Sequence, residues 1–287
     1  MKSLKGISIF LHDNILAKGR ENKENQLLKG FVSPYSSTIA EKLLAQGVVI
    51  ADKNDAKCFA ELGVGIKNDN KIKLSIGQNS VSRYGVFTLS SVEQIEICAA
   101  TIGDVKQVFN VIHSGMSRTP SNISLNKPKI GCINDVLTAT EIKNILPVYY
   151  GLSLPEASSN LSRFDGVRFC PTKSAESLDE LYKNTRTELF DFKTKRDIML
   201  GNFMLKEDNI DVFYKRALAN RAHLRNKFQE LFKKFDCISM PNEEVFIHLA
   251  KIVGLPTITG AIEQQIMCEC EDKLFQVAEI LSAGGKK

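Results

Sequence analysis

The order of apolar and polar positions in the first third of the chain alternates between strand-like and helix-like segments. Residues 7–11 form a short apolar run of strand length. Thr38 can cap a helix that has Glu41 three residues later, as in a capping box, and that stops at Gly47. Residues 48–51 are Val-Val-Ile-Ala and predict a buried strand. Strand, helix and strand in this order predict an α/β sheet.

Further elements follow along the chain. Residues 129–133 and 237–240 predict two more strands. Thr101 and Asp104 resemble the start of a second capped helix, which Gly115 would end. Its apolar face is Val105, Val108, Phe109 and Ile112.

The longest helix is predicted to begin near Asp208. Apolar residues recur there at helical spacing: Ile210, Phe213, Ala217, Leu224, Phe228, Leu231 and Phe235. Basic side chains lie between them: Lys215, Arg216, Arg221, Arg225 and Lys227. We interpret this as an amphipathic surface helix packed on a core, in preference to a helix that binds nucleic acid.

Two polar stretches predict loops, at residues 18–25 and 63–73. The chain has no internal repeat and no clear interdomain linker. We therefore expect residues 1–287 to form a single domain.

Composition adds little to this interpretation. The 287 residues are 43% hydrophobic and 25% charged, which is typical of globular proteins. No apolar run is long enough to span a membrane, and no secretory signal is readable. The net charge of +5 is spread along the chain, and no stripe of arginines and aromatics predicts a nucleic-acid surface.

The seven cysteines are odd in number and irregularly spaced. This pattern argues against a disulfide framework and indicates a reducing compartment, so we expect a cytoplasmic protein. Cys268 and Cys270 form a lone C-x-C without a second ligand pair. We therefore expect no metal and no cofactor, and interpret the cysteines as small apolar residues.

Several ordered blocks carry a resemblance to a known family. His12-Asp13-Asn14 stands where the family has Lys-Asp-Asn, and the most specific block is residues 156–168, Glu-Ala-Ser-Ser-Asn-Leu-Ser-Arg-Phe-Asp-Gly-Val-Arg. Further matching blocks are residues 28–35, 81–85, 89–95, 146–150, 178–182, 195–201 and 254–256. Together they resemble the A-type subunits of glutamyl-tRNA(Gln) amidotransferases, which belong to the amidase-signature family. The resemblance implies a reduced amidase-signature fold with a mixed β-sheet flanked by helices.

The resemblance implies a glutamine amidase whose chemistry needs three elements. A serine nucleophile, a second serine and a buried neutral lysine transfer the proton, and backbone amides of a Gly/Ser-rich loop stabilise the oxyanion. Here His12 occupies the lysine position, and the Gly/Ser-rich loop and the nucleophile segment are absent. Family-like sequence ends near residues 59–63 and resumes near residues 74–81, so a short polar stretch replaces the serine-bearing core. We expect no intact catalytic site.

A rebuilt site remains an alternative. His12 could be a base at neutral pH, since the unperturbed pKa of histidine is about 6.5. Ser75, Ser80 and Ser82 lie near the rejoined segment, but no Gly-rich loop accompanies them. A histidine at the end of a strand is more often structural.

Arg163 matches the family arginine that holds the carboxylate of the substrate glutamine, a task that suits a bidentate guanidinium. The acidic partner for the amino group would lie in a missing segment. The alternative is that Arg163 and Arg168 pair with Asp165 or neighbouring acids and hold the loop, and we favour this alternative for Arg168.

Three functions are therefore compatible with the sequence. The first is a non-catalytic subunit that supports the partner converting Glu-tRNA(Gln) to Gln-tRNA(Gln). The resemblance then implies partners that are like the B-type and C-type amidotransferase subunits, with tRNA contacted through the complex. The second is a reduced amidase or glutaminase with a rebuilt site, and the third is a stand-alone binding module. Since loss of a central segment would expose sheet edges and apolar surface, the chain must refill that space or depend on a partner.

Overall fold

The architecture is an α/β fold with a mixed sheet, as predicted, and the described residues contribute nine strands to that sheet. The computed structural model describes residues 4–23, 26–51, 58–66, 71–113, 125, 127–172, 174–260 and 263–284. The strands are β1 Ser8–Leu11, β2 Val49–Ala51, β3 Ala60–Val64, β4 Ile72–Ser75, β5 Ile95–Ala99, β6 Ile130–Cys132, β7 Cys237–Met240, β8 Thr257–Thr259 and β9 Gln265–Cys268.

The strands lie in the order β2-β1-β3-β5-β4-β8-β9-β7-β6. Parallel pairs occur at the two ends of the sheet, where β1 pairs with β2 and β3, and β6 pairs with β7. The middle is antiparallel, from β3 through β5, β4, β8 and β9 to β7. The mixed pattern predicted by the resemblance is thus confirmed.

Helices cover both faces of this sheet. They are α1 Thr38–Ala45, α2 Ile102–Ile112, α3 Ile133–Val136, α4 Ala139–Lys143, α5 Ile145–Leu161, α6 Leu178–Leu189, α7 Phe192–Leu205, α8 Glu207–Ile210, α9 Arg216–Leu231, α10 Glu244–Val253 and α11 Glu271–Gly284. A π-helical turn, Asp211–Lys215, joins α8 to α9, so helical structure runs on from near Asp208 as predicted.

Two large cores lie on opposite faces of the sheet. On the first face, α1, α2 and α11 pack on alternate residues of the central strands, such as Leu62, Ile97 and Ile258. On the second face, α5, α9 and α10 pack on β7 and β9 through Ile238 and Met267. Each strand contributes alternate residues to the two faces because successive side chains point in opposite directions.

Local predictions were corrected at two positions. The cap of α1 is Ser37, whose hydroxyl accepts a hydrogen bond from the Ala40 amide at 3.1 Å, and Thr38 is already the first helical residue. The strand at residues 48–51 is an edge strand, with Val49 54% exposed, because nothing pairs with β2 on its outer side in the described part of the chain.

The two predicted loops are also more ordered than expected. Gly63 and Val64 belong to β3, and Ile72 and Lys73 belong to β4. Glu21 forms a bridge with Val32 in a hairpin. Residues 24, 25, 67–70 and the expected helix stop at Gly115 lie outside the described residues.

Candidate functional site

The point at which family-like sequence is interrupted lies in the middle of the sheet. Strands β3 and β4 both pair in register with β5, one on each side of it. Only residues 65–71 connect them, although the two strands run parallel and the chain must return across β5. Parallel strands are usually joined by a dozen or more residues. Strand β5 lies between β3 and β4 and is buried along its full length.

Charged residues line the second face of the sheet at this point. Cys98 of β5 is paired with Glu61 of β3 on one side and with Lys73 of β4 on the other. Glu96 is fully buried, and its carboxylate lies 3.8 Å from Lys73 Nζ. It also accepts a hydrogen bond of 2.7 Å from the Ile66 amide. The buried carboxylate of Glu96 is therefore paired with a cation of β4 and with a backbone amide that directly follows β3.

The electrostatics of this face disfavour a reactive thiolate. Burial, and secondarily the negative charge of Glu96, raise the pKa of the Cys98 thiol to about 12. A thiol with such a pKa stays protonated at neutral pH and is a poor nucleophile.

His12 lies directly after β1 beside this face. Its Nε2 is 3.8 Å from Glu61 Oε2, and Glu61 also holds Lys71 Nζ at 2.5 Å. Its ring meets Phe10 edge to face, with 4.8 Å between centroids. Its backbone amide donates to the Leu62 carbonyl at 2.8 Å.

The serines near the rejoined segment have other partners. The Ser75 hydroxyl lies 3.5 Å from Glu96 Oε1, and the Ser82 hydroxyl lies 3.2 Å from Thr38 Oγ1. Neither hydroxyl is hydrogen-bonded to a lysine or histidine within the ranges that the structure describes. The structure therefore does not bring His12 together with these two serines.

Arg163 lines a separate cavity of about 700 Å³. The cavity lies over a small apolar cluster that includes Phe164, and Lys29 and Arg168 contribute to its lining. Asp165 forms no ion pair with either arginine. Its carboxylate instead accepts a hydrogen bond of 2.9 Å from the Val167 amide. No ion pair joins Arg163 or Arg168 to another residue of the described ranges.

The loop that carries Arg168 is a tight turn with several internal hydrogen bonds. Gly166 has φ of +86°, and a side chain there would meet Thr185. The Gly166 carbonyl accepts a hydrogen bond of 2.7 Å from the Thr172 hydroxyl. Cys170 has φ of +68°, a conformation that non-glycine residues rarely adopt. Such strain is usual in segments that the fold holds in one functional conformation.

Sequence reasoning named Arg163 as a candidate but did not name Lys29 or Glu96. Lys29 joins Arg163 only through the tertiary fold, and no local pattern indicates this. Glu96 could have been noticed in the sequence, because it is the single charged residue in the apolar segment Ile95–Ala99. Within the described residues, no cluster of three or more histidines, cysteines, aspartates or glutamates could hold a metal ion.

Comparisons with known proteins agree with these observations. A family model described as Amidase matches residues 129–249. The A-type subunit of the glutamyl-tRNA(Gln) amidotransferase of Saccharolobus solfataricus is 27% identical over 83% of this chain and 69% of the relative. The corresponding protein of Wolinella succinogenes is 28% identical over 82% of this chain and 73% of the relative.

Solved structures show the same fold. The A-type subunit of the glutamyl-tRNA(Gln) amidotransferase from Thermotoga maritima superposes with a TM-score of 0.67 at 16% identity, covering 96% of this chain and 82% of that one. A crystal structure of an amidase superposes with a TM-score of 0.73 at 14% identity, covering 98% and 85%.

The matches also reveal an internal difference in length. The alignment to the Saccharolobus solfataricus protein spans 329 positions but includes only 83% of this 287-residue chain, so about 90 of its positions face gaps here. This chain therefore lacks residues that the relative has inside the matched region. In the described part of the chain, no helix has the length and apolar character needed to cross a membrane.

Proposed function

This chain carries an amidase-signature domain, and we propose that it is a non-catalytic subunit of a complex that converts Glu-tRNA(Gln) to Gln-tRNA(Gln). Its partners are proteins like the B-type and C-type amidotransferase subunits, in the cytoplasm, and tRNA is contacted through the complex. The chain supports the partner that amidates the tRNA but does not hydrolyse glutamine, so ammonia reaches that partner from another source.

One observation carries the proposal. The strands on either side of the interrupted segment both pair in register with β5, and only residues 65–71 join them. That connection is too short to hold a Gly/Ser-rich oxyanion loop together with a serine nucleophile. A hydroxyl without an adjacent base and oxyanion donors is a weak nucleophile.

The surroundings of His12 support the same conclusion. At the family lysine position, a histidine packs against Phe10 and lies near Glu61. These neighbours are charged and aromatic side chains, and neither Ser75 nor Ser82 is hydrogen-bonded to His12. A general base must lie within hydrogen-bond reach of the proton that it removes.

An exposed apolar surface supports a partner role. Phe192, Met199 and Phe203 recur along one side of α7 and are 82%, 73% and 47% exposed. We call these three residues the α7 ridge. Phe213 extends it, with its ring centroid 5.8 Å from that of Phe203. Contiguous exposed apolar residues commonly mark protein–protein contacts, and the relatives are themselves named as subunits.

The catalytic half of the proposal is tested by ammonia release from glutamine. We expect none from the purified chain, alone or with its B-type and C-type partners. Ammonia release that disappears in His12→Ala would contradict the proposal and support the alternative, a reduced amidase. The polar face with Glu96 and Lys73 is the observation that favours that alternative.

The partner half is tested by co-purification from the native source. Met199→Glu and Phe203→Glu should reduce recovery of the B-type or C-type protein. Leu44→Glu is the matched control, because Leu44 is an exposed leucine of α1 outside the α7 ridge. Equal recovery with all three variants would exclude the ridge as the interface. Absence of any other amidotransferase component from the wild-type sample would support a stand-alone binding module instead.

A further inference from the structure

A second cavity lies beside the one that contains Arg163, where α5, the π-helical turn and the segment between β4 and β5 meet. Its volume is about 470 Å³, within the range of sites that enclose small ligands. Thr88 and Asn160 line both cavities, but Arg163 and Arg168 do not line this one. We call it the α5 cavity. It is a separate place for a ligand, with its own chemistry.

The charges at the α5 cavity are balanced and already compensated. Among the described lining residues, Arg83 and Glu156 are the only charged ones. Both oxygens of Glu156 accept hydrogen bonds, one from the Ser91 amide at 2.5 Å and the other from the hydroxyls of Ser91 at 2.9 Å and Tyr214 at 3.2 Å. The Arg83 guanidinium donates to the Glu93 carbonyl and has the Glu93 carboxylate as a neighbouring counter-charge. Since moving an ion out of water is costly without a free counter-charge, the cavity favours a neutral ligand.

Neutral polar groups form much of the remaining lining. Ser90 is 7% exposed, and its hydroxyl forms no hydrogen bond with another described residue. The hydroxyls of Thr88 and Ser159 likewise have no hydrogen-bond partner within the described ranges. Asn160 Nδ2 donates to the Leu89 carbonyl at 2.8 Å, which leaves the side-chain oxygen as an acceptor. Because buried polar side chains normally have partners, these groups point to a ligand that forms hydrogen bonds.

Several hydroxyl groups on one ligand match this lining. A hydroxyl both donates and accepts, as the side chains of serine and threonine do. Asn160 Oδ1 needs a donor, whereas the hydroxyls of Ser90 and Ser159 can take either role. An array of ligand hydroxyls satisfies all three without bringing a charge into the cavity. A ligand with a single hydroxyl would leave most of these groups without a partner.

The cavity also has apolar surface, on Pro155, Leu205 and Tyr214. Such surface suits the C–H faces of a ring that carries its hydroxyls around the edge. Tyr214 is the single aromatic side chain among the described lining residues, so no second ring faces it to enclose a flat aromatic ligand. A saturated, hydroxylated ring therefore fits better than an aromatic or a purely apolar one.

Hydrogen bonds of a buried arginine hold these walls in place. Arg221 is 8% exposed, and it donates from Nη1 to the Ser91 hydroxyl at 2.7 Å and from Nε to the Ile252 carbonyl at 2.9 Å. Ser91 in turn is hydrogen-bonded to Glu156, and so to the turn of α5 that carries Ser159. A site whose walls are already fixed loses less entropy on binding.

We propose that the α5 cavity binds a neutral sugar ring, a free pentose or hexose. Its hydroxyls hydrogen-bond to Ser90, Ser159 and Asn160, and its C–H face packs on Tyr214. The sugar is bound without a chemical step. The site is independent of the role in tRNA amidation, because neither His12 nor the α7 ridge lines the cavity.

Saturation-transfer NMR titrations of the full-length chain, which detect millimolar affinities, test the class of ligand. The probes are D-ribose and D-glucose, cyclohexanol as a saturated ring with one hydroxyl, and glucuronate and glucosamine as charged analogues. The sugar that binds more tightly should exceed cyclohexanol about tenfold, since it makes at least two further hydrogen bonds. Neither charged analogue should bind more tightly than D-glucose, because the cavity offers no uncompensated charge.

Matched serine variants identify the residues. Ser90→Ala and Ser159→Ala should each weaken sugar binding about fivefold, the effect of one lost hydrogen bond. Neither variant removes a side-chain hydrogen bond of the described fold. Ser282→Ala in α11 is the control, since this helical serine lies outside the cavity with its hydroxyl on the Ala278 carbonyl at 2.7 Å, and it should leave sugar binding unchanged. Circular dichroism melting confirms that each variant is folded before it is titrated.

Three results would overturn the proposal. One is the absence of detectable binding of both sugars. Another is cyclohexanol bound as tightly as the better sugar, or a charged analogue bound more tightly than D-glucose. The third is the same loss, or no loss, in Ser90→Ala and Ser282→Ala. None of these results bears on ammonia release or co-purification, so failure of this site is distinguishable from failure of the proposed function.

Discussion

Gly63 lies so close to His12 that no larger residue fits between β3 and the end of β1. A methyl group at position 63 would lie 2.7 Å from His12 Cβ and 2.8 Å from the imidazole carbons. Such contacts are shorter than any normal van der Waals distance, so the neighbour would have to move. His12 is thus packed directly on the strand that leads into residues 65–71.

We predict that Gly63→Ala destabilises the fold by about 1–3 kcal/mol, as expected for overpacking of a buried site. In a chain of this size, each kcal/mol lowers Tm by roughly 2–4 °C. Gly103→Ala in α2 is the control, because its nearest contact would be an ordinary 3.7 Å from Thr101 Oγ1. Alanine is favoured over glycine inside a helix, so Tm should rise slightly there. A wild-type Tm for Gly63→Ala in calorimetry would contradict the packing described here.

The sequence predicted those elements whose signals are local. Thr101 accepts a hydrogen bond of 3.1 Å from the Asp104 amide, and the helix that it caps follows as expected. Strands β8 and β9 were not predicted; they are three and four residues long, and besides each other they pair with β4 and β7, which are distant in the sequence or preceded by a helix. Helix α5 was not predicted, because it contains Pro155 and buries residues on several sides, so its apolar residues show no clear helical period.

The residues of the candidate site likewise fall into those with a local sequence signal and those that only the folded chain brings together. Arg163 was predicted because it lies in a specific block of matching sequence, and the structure places it in a cavity. Lys29 comes from a hairpin far away in the sequence, so only the folded chain brings it near Arg163. The pairing of Lys73 with Glu96 likewise depends on strand register, which is fixed by the whole sheet rather than by neighbouring residues.

A second prediction concerns the pH dependence of stability through Glu141. Partial burial opposes ionisation of this carboxyl, but hydrogen bonds from Lys227 Nζ at 2.7 Å and from Thr138 outweigh it and lower its pKa to about 2. The folded state therefore binds fewer protons than the unfolded state, whose glutamates have pKa values of about 4.3. The stabilisation is present above that value and is lost as pH falls towards about 2.

Urea unfolding at pH 6 and pH 3 measures this effect. Glu141→Gln should lower the free energy of unfolding at pH 6 by about 1 kcal/mol, a value that allows for solvent screening of a partly exposed pair. At pH 3 the difference should shrink. Glu230→Gln is the control, because Glu230 and Lys233 are both 68% exposed and should contribute little. Identical losses at both pH values would show that Glu141 acts only as an uncharged cap.

A third prediction concerns His248, which stacks on Tyr149 with 3.8 Å between ring centroids. Burial lowers the pKa of His248, and the hydrogen bond from its ring to Glu244 only partly opposes this. The folded state then holds the imidazole neutral while the unfolded state takes up a proton below pH of about 6.5. Stability should therefore decrease as pH falls from 7 to 5.

His248→Phe keeps an aromatic ring on Tyr149 but removes the titrating group. We expect a smaller loss of stability between pH 7 and pH 5 than in the wild type, measured as the difference between two urea midpoints. A wild-type difference in His248→Phe would assign the pH dependence to other groups.

A fourth prediction concerns Arg186, which is hydrogen-bonded both to the end of α5 and to the loop that follows it. Its Nη1 donates to the Leu161 carbonyl at 3.1 Å and to the Phe164 carbonyl at 3.3 Å, and its guanidinium lies 4.8 Å from the Phe190 ring centroid. A cation at the C-terminus of a helix satisfies carbonyls that have no partner inside the helix.

Arg186→Met keeps much of the apolar stem but leaves these carbonyls unsatisfied, so it should lower the free energy of unfolding in urea by about 1–3 kcal/mol. Hydrogen exchange of the backbone amides of residues 162–169 should accelerate, because the end of α5 and the following loop are then less firmly held. Arg216→Met should change neither measurement, and unchanged exchange in Arg186→Met would show that the loop is held by its own turn alone.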